Sequence, residues 1–398
     1  MKKKILLIIR RGILEFEYIL PIVKKFSKKY EINTIFLNQK SFKSLKNNPY
    51  LFNEWNKINR NYYVQKKLDF FIYKTINYIL LKINFEIFKN FQNKIISRLH
   101  NPKILIKKVK INNIDNLHYI FTEHGNNSLW LKKFYIHKNK PRIIFFPSST
   151  QIFLFKKKSN IIDRKKLFGD LLFTISSKEE SFWSQFIEKN KIKPVGVPVF
   201  DHVKSIRRTK KRLKKTILVA IAHRYKLTGS DFLKKHKSLF DRLLNDKNNY
   251  KIIVKPHPFK QDQYLNELLD LYKKKYKKLK VSYETISDLC KKSDIMICNL
   301  LTSASIYALY HNIPVISFPF RDEFQFQLPS ENQKLGFIEK TNSITDFTKK
   351  LNSALYKTDS LVWIKQSMNF KKYYFENKKT NEQIFHFIEN YKYERKYS

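Results

Sequence analysis

The sequence predicts an α/β protein made of two successive β-α-β domains, each with a parallel sheet. Short apolar runs alternate with stretches whose apolar residues recur at helical spacing, and this alternation occurs in two separate series. A basic stretch, "KSIRRTKKRLKK" (204–215), lies between the series and reads as a linker. At 398 residues the chain is also long enough for two cores of ordinary size.

The first series opens with the strand "KILLII" (4–9), the helix "ILEFEYILPIVKKFSKKY" (13–30) and the strand "EINTIFL" (31–37). Residues from about 40 to 115 read as mostly helical, a helical insertion that interrupts the alternation. It resumes with "HYIFTEHG" (118–125), "PRIIFFPSST" (141–150) and "DLLFTISS" (170–177). The second series runs through "TILVAIAHRY" (216–225), a helix near 230–246, "KIIVKPHP" (251–258) and a helix over 262–279. "DIMICNL" (294–300), the helix "SASIYALYHN" (303–312) and "IPVISFP" (313–319) complete it. The expected division is therefore an N-terminal domain over 1–203, the linker, a C-terminal domain over 216–375 and a final helix over 376–398.

Composition narrows the function. Hydrophobic residues make up 42% of the chain, with 34 Phe and 23 Tyr, which excludes a disordered tail protein. A net charge of +47 suits an anionic substrate or an anionic membrane surface. Its lysines are dispersed along the chain rather than gathered in one patch, which argues against a specific nucleic-acid site. Cys290 and Cys298 are the only cysteines, so a disulfide framework and a cysteine-based zinc site are both excluded, and a reducing cytoplasm fits. In "MKKKILLIIRRGILEFEY" the apolar run is broken by Arg10 and Arg11, so the segment reads as a first strand rather than a signal peptide. Leu68–Phe88 is the longest apolar segment but carries Asp69, Lys74, Lys82 and Glu86; it reads as a core-facing helix, or as one lying on a membrane surface.

Chemistry is expected at the strand ends, because ligands of such sheets sit beyond the carboxyl ends of the strands. "FTEHGNNS" places Glu123 and His124 at one such end, and either could serve as a general base or simply hydrogen-bond within a turn. "FFPSSTQ" places Ser148 and Ser149 at the next, as acceptor contacts. In the second series "AIAHRYKLTGSD" offers His223 and Arg224, and "VKPHP" offers Lys255 and His257 between prolines that stiffen the corner, as a rigid turn, as contacts to a diphosphate, or with His257 as a catalytic proton carrier. Thr302, Ser303 and Ser305 open a helix, where they cap it or hold a phosphate at its positive end. "FPFRDEFQF" adds Glu323, placed to accept sugar hydroxyls. No P-loop, G-x-G-x-x-G or G-x-S-x-G motif is present, and six glycines could hardly build them. No cluster with metal-ligand spacing occurs.

Three segments carry a resemblance. "VGVPVFD" (195–201), "VKPHP" (254–258) and "SDIMICNLLTSASIYALYHNIPVISF" (293–318) resemble, in order and spacing, signatures of the GT-B glycosyltransferase superfamily of bacterial surface-polysaccharide assembly, capsule and lipopolysaccharide included. The likeness extends to its CDP-glycerol glycerophosphotransferase-like branch and covers roughly 195–340; the first half is similar in layout only. It implies two Rossmann-like domains facing a cleft, with a nucleotide-activated donor on the C-terminal domain and a polysaccharide or lipid-linked acceptor on the N-terminal one. It implies no cofactor besides the nucleotide sugar as co-substrate, no obligatory metal, and a cytoplasmic enzyme, peripheral on the inner face of the membrane. Carried over by position, Lys255, His257, Ser303 and Ser305 meet the donor phosphates and His124 matches the acceptor base. The sequence departs from the glycerophosphotransferases at Asn299-Leu300-Leu301, where they usually have an aspartate-tyrosine pair, which favours a sugar donor over CDP-glycerol. The expected function is glycosyl transfer to a surface-polymer hydroxyl. Glycerophosphate transfer, nucleotide-sugar 2-epimerisation and a non-enzymatic basic membrane- or nucleic-acid-binding scaffold are the alternatives.

Overall fold

The computed structural model describes residues 2–65, 101–124, 129–137, 141–147, 167–201, 214–221, 229–246, 248, 250–256, 263–298, 304–318, 335–339, 341, 343–374 and 379–390. The chain divides into two compact units, Met1–His202 with Asn377–Ser398, and Val203–Glu376.

Unit 1 holds a seven-stranded parallel sheet in the order β3-β2-β1-β4-β5-β6-β7. Its strands are β1 (Lys4–Ile9), β2 (Glu31–Phe36), β3 (Asn59–Val64), β4 (Leu117–Glu123), β5 (Arg142–Phe146), β6 (Leu171–Thr174) and β7 (Ile192–Pro194). The helices described in this unit include α1 (Ile13–Phe26), α2 (Gln39–Lys46), α3 (Pro49–Ile58), α4 (Pro102–Lys107), α5 (Leu129–Tyr135) and α6 (Glu180–Trp183). Residues 5–9 of β1 are all fully buried, as expected of a central parallel strand covered on both faces. Such a strand needs no alternation of polar and apolar residues, so "KILLII" reads as a continuous apolar run.

The region expected to be mostly helical contains a strand. β3 extends the sheet beyond β2, with Ile35 opposite Tyr63 and Phe36 opposite Val64. As an edge strand it has one side open to solvent, so "NRNYYV" lacks the apolar run that marks an interior strand. Side chains replace part of that apolar contact. Thr34 Oγ1 donates to Asn59 Oδ1 at 2.6 Å, and Asn61 Nδ2 donates to Asn33 Oδ1 at 3.0 Å. The apolar segment Leu68–Phe88 lies outside the described residues.

Unit 2 holds a five-stranded parallel sheet in the order β10-β9-β8-β11-β12. These strands are β8 (Lys215–Ala220), β9 (Tyr250–Lys255), β10 (Leu279–Val281), β11 (Ile295–Cys298) and β12 (Val315–Ser317). Around them lie α7 (Gly229–Leu244), α8 (Gln263–Lys275), α9 (Ile286–Lys292), α10 (Ala304–Tyr310), α11 (Ile344–Tyr356) and α12 (Leu361–Tyr374). The helix expected over 262–279 stops at Lys275, and Leu279, the last residue expected in it, opens β10. Gln366 of α12 is buried and pairs with both polar groups of Val315, accepting from its N–H at 3.0 Å and donating to its carbonyl at 2.7 Å. These two bonds satisfy backbone groups that a buried strand would otherwise leave open.

The final helix, α13 (Thr380–Asn390), belongs to unit 1. Its Phe385 ring lies 4.8 Å from that of Phe26, and Tyr119 donates to the Ile388 carbonyl at 3.4 Å. The "VGVPVFD" segment anchors its start. Asp201 accepts from the Asn381 N–H at 2.6 Å, and Asn381 Nδ2 donates to the Pro198 carbonyl at 3.0 Å. Gly196 in the same segment has φ 90°, and its carbonyl accepts from the Tyr18 hydroxyl.

One corner has no steric freedom. Gly12, between β1 and α1, has φ 75° and ψ −117°, and a Cβ there would lie 2.1 Å from Ser44 Oγ and 2.4 Å from the Ser41 carbonyl oxygen. Gly12→Ala is expected to destabilise unit 1 by about 2–3 kcal/mol, read as a lowered urea midpoint. An unchanged midpoint would show that the corner can be rebuilt around a side chain.

Candidate functional site

The order of the unit 1 sheet reverses between β1 and β4, which are separated by more than a hundred residues in sequence but pair directly, Ile8 opposite Thr122. Thr122 Oγ1 donates to the Ile8 carbonyl at 2.9 Å, close to the ends of both strands. In an open parallel sheet this switch point is where a crevice forms beyond the strand ends. Two corners therefore meet here, Arg10-Arg11-Gly12 after β1 and Glu123-His124 after β4.

The β1 corner is fixed by a buried carboxylate. Glu15, in the first turn of α1, is fully buried and accepts from the Arg10 N–H at 2.9 and 3.1 Å and from the Arg11 N–H at 3.0 Å. The Arg10 carbonyl accepts from Asn38 Nδ2 at 2.9 Å and from the Ser41 hydroxyl, both at the start of α2. With its backbone held on both sides, the pair Arg10-Arg11 has little choice of direction.

Glu123, fully buried at the end of β4, pairs with both arginines, with Arg10 Nε through a short contact and with Arg11 Nε at 3.5 Å. The arginine side chains remain about a third exposed, at 35% and 33%. Glu123 is thus the buried counter-ion of two arginines whose side chains are about a third exposed, with Arg10 Nη2 itself buried. The sequence offers Glu123 beside His124 as a general base; in the fold its carboxylate lies against the two arginines.

His124 continues the β4–β5 pairing, its N–H donating to the Phe146 carbonyl at 2.8 Å. Its ring is 2% exposed and stacks at a tilt on Trp183 of α6, 4.4 Å between centroids. Burial, and after it the charges of Arg11 and Arg10, holds the imidazole well below its ordinary pKa. At neutral pH it is uncharged. Glu15 moves the other way. Burial first, and the charge of Glu123 next, raise its carboxyl well above the usual range, against the bonds from Arg11 and Arg10 and the Arg10 charge. The corner therefore combines two cations about a third exposed, a buried counter-ion, a carboxyl that favours its proton and a neutral imidazole.

In unit 2 the sheet order reverses between β8 and β11. Of the donor-side residues expected from sequence, Lys255 and Ser305 are described. Lys255 ends β9, beside Ala220 of β8, and its Nζ donates to the Tyr283 carbonyl at 3.3 Å. Ser305 lies in the first turn of α10, the helix that follows β11, and is fully buried. β8 lies between their two strands. Ser148, Ser149, His223, Arg224, His257, Thr302, Ser303 and Glu323 lie outside the described residues. The segments 222–228 and 299–303 are the ones that follow the two switch-point strands.

Among the described residues, no group of three or more His, Cys, Asp or Glu is placed to hold a metal ion. Nor, among them, is any helix long and apolar enough to cross a membrane.

A model of CDP-glycerol:poly(glycerophosphate) glycerophosphotransferase matches residues 23–318, most of the chain and parts of both units. This chain belongs to that family. It is accordingly a transferase that works from a nucleotide-activated donor on surface polymers. No curated protein matches the sequence. Solved structures with a similar fold include a Staphylococcus aureus MnaA–UDP co-structure, at 15% identity and a TM-score of 0.60, covering 98% of this chain and 96% of that one. The Methanocaldococcus jannaschii UDP-GlcNAc 2-epimerase in complex with UDP-GlcNAc and UDP matches at 16% and 0.59, over 97% and 99% of the chains. The wall teichoic acid polymerase TagF matches at 11% and 0.50, over 97% and 88%. At these identities the likeness establishes the GT-B-like fold, with its Rossmann-like domains.

Sequence reasoning found Glu123 and His124 and missed Arg10, Arg11 and Glu15. A signal was present, since Gly12 is the only glycine before Gly125 and follows two arginines at the first strand end.

The shifted groups give stability a signed pH dependence. His124 stays neutral in the folded chain while the unfolded chain charges its histidines below about pH 6.5, so its contribution is complete above that value and lost as the pH falls. His118, held down to about 4 by burial first and then by Lys3 and Arg142, adds to this loss between about 6.5 and 4. Glu15 has the opposite sign: its contribution is present below the unfolded carboxylate value, about 4.3, and is lost as the pH rises through its raised folded value. The urea midpoint of unit 1 is expected to fall from pH 7 to pH 5, and to fall more steeply in Glu15→Gln. Tryptophan fluorescence in a Trp363→Phe background reads this unit through Trp55, Trp130 and Trp183. Parallel slopes in the two proteins would show that Glu15 is ionised throughout.

Proposed function

We propose that the chain transfers a glycosyl group from a nucleotide sugar to a hydroxyl of a surface polysaccharide or lipid-linked acceptor, without a metal ion. The observation that supports this most directly is the unit 1 switch point, where neutral His124 adjoins two arginines whose side chains are about a third exposed. In this reading the acceptor oxygen forms a bond to the anomeric carbon as the bond from that carbon to the donor phosphate breaks. The acceptor proton passes to His124, the nucleoside diphosphate leaves, and Arg10 and Arg11 orient the acceptor. Because the arginines oppose a charge on the imidazole, proton transfer accompanies bond formation rather than preceding it. The ring is 2% exposed, so the corner opens when acceptor binds. On the donor side, Lys255 supplies charge to the departing phosphates. His223, Arg224, His257, Thr302, Ser303 and Glu323 are the further proposed donor contacts, and Ser148 and Ser149 the acceptor contacts.

Glycerophosphate transfer is the second reading, favoured by the family to which the chain belongs. There the acceptor oxygen attacks the phosphorus that carries glycerol, and CMP leaves. The 2-epimerase and scaffold readings gain no separate support, since the epimerase likeness is one of fold.

The leaving group separates the two transfer reactions. With a panel of nucleotide sugars and CDP-glycerol, release of a nucleoside diphosphate that depends on acceptor supports glycosyl transfer. Release of CMP supports the second reading, and no turnover with any donor would sink both. His124→Asn is expected to slow turnover by roughly a hundredfold or more while leaving donor affinity intact. Lys255→Gln is expected to weaken donor binding by about tenfold, measured by calorimetry with the donor alone. Wild-type turnover in His124→Asn would remove the base from the scheme.

A further inference from the structure

Helix α12 of unit 2 has two faces of different character. Trp363, Gln366, Phe370 and Tyr374 are buried and fix the helix to its unit: Trp363 joins the unit 2 core, Gln366 grips Val315, and Phe370 and Tyr374 pack their rings on Phe337. The outward residues are not the polar set expected of a solvated helix. Leu361 is 73% exposed, Met368 62%, Val362 44% and Ile364 43%. Apart from Val362, they share that face with Lys365, Lys371 and Lys372, all exposed, at the i, i+3, i+4, i+7, i+10 and i+11 positions of one helical stripe. The helix carries no acidic residue; between Tyr356 and Tyr374 the sole carboxylate is Asp359.

Large apolar side chains held outward on a rigid helix and flanked by lysines suit an interface that is apolar beneath and anionic above. An anionic lipid surface has that profile, with headgroup charge over acyl chains. A second copy of the chain does not. A twofold interface would set this lysine stripe against itself, within a protein whose net charge is already +47. We propose that the outer face of α12 is a membrane-docking surface. Leu361, Ile364 and Met368 enter the headgroup region while Lys365, Lys371 and Lys372 meet anionic headgroups. This surface is separate from the unit 1 corner and does not rest on its reading.

The full-length chain tests this by co-sedimentation with vesicles of phosphatidylcholine alone and of phosphatidylcholine with phosphatidylglycerol. Binding is expected only to the anionic vesicles and is expected to weaken as salt rises. Replacing all three lysines, as Lys365→Gln/Lys371→Gln/Lys372→Gln, is expected to lower the partition coefficient by roughly a hundredfold. Leu361→Ser/Met368→Ser is expected to lower it by about tenfold or more at constant charge. All five side chains point outward, so an unchanged urea midpoint checks that the variants stay folded. The proposal fails if wild type binds no vesicle, or if both variants bind as wild type does. It fails equally if light scattering shows a dimer that Leu361→Ser/Met368→Ser dissolves without any change in lipid binding.

Discussion

The buried pair Glu15 and Glu123 is the constraint on which the rest of unit 1 depends. Taking a carboxyl group out of water is costly, most of all when it is ionised, unless partners replace the lost hydration. Here the replacements are specific. Two backbone N–H groups hold Glu15, and two guanidinium groups hold Glu123. Because the N–H groups belong to the same two residues whose side chains reach Glu123, the backbone path and the side-chain direction are set together. Gly12 then turns the chain into α1 at a conformation and packing distance that admit no Cβ. Remove either carboxylate and the arginines lose their reason to sit where the two strand ends meet.

A second constraint comes from far along the chain. The segment 195–201 resembles a family signature at the end of the first domain, and its structural work is to hold α13. Residues from the end of the sequence thereby complete the core begun by β1 and α1, with Phe385 on Phe26 and the Ile388 carbonyl under Tyr119. Unit 1 is discontinuous in sequence for this reason, and unit 2 is the continuous stretch between its two parts. A reading that assigns each domain one continuous stretch places the final helix apart, because nothing local to 380–390 names its partner.

What the sequence shows of this fold follows from how each strand is covered. β1, β4, β5, β8 and β11 are buried on both faces and read as apolar runs, so their order along the chain is visible without coordinates. β3 is an edge strand stabilised by Asn and Thr side chains, and its polar sequence hides it among helices. The candidate site divides along the same line. Glu123 and His124 are legible because they end an apolar run. Arg10 and Arg11 are marked in sequence only by the glycine that follows them, and they and Glu15 join Glu123 only once β1 is known to lie beside β4, which is a property of the sheet. The exposed apolar stripe of α12 is likewise invisible in sequence, where Leu361, Ile364 and Met368 look like core residues until Trp363, Gln366 and Phe370 are seen to take the inner face.

Charge does different work at different depths in this molecule. With 80 Lys and Arg against 33 Asp and Glu, the protein as a whole attracts any anion, including the phosphates of a nucleotide-activated donor and an anionic lipid. A field of this kind raises encounter rates and is screened within about 8 Å at physiological salt, so it distinguishes poorly among anionic ligands. Selection requires charges that are held still. The unit 1 corner meets that condition: its arginines are fixed by the Glu123 carboxylate and the buried Glu15 carboxyl, while the neighbouring imidazole is kept neutral by burial and the same cations. Most lysines elsewhere can be exchanged with little consequence for geometry. At the switch point the cations, their counter-ions and the histidine form one unit, and changing any member alters the protonation and position of the others.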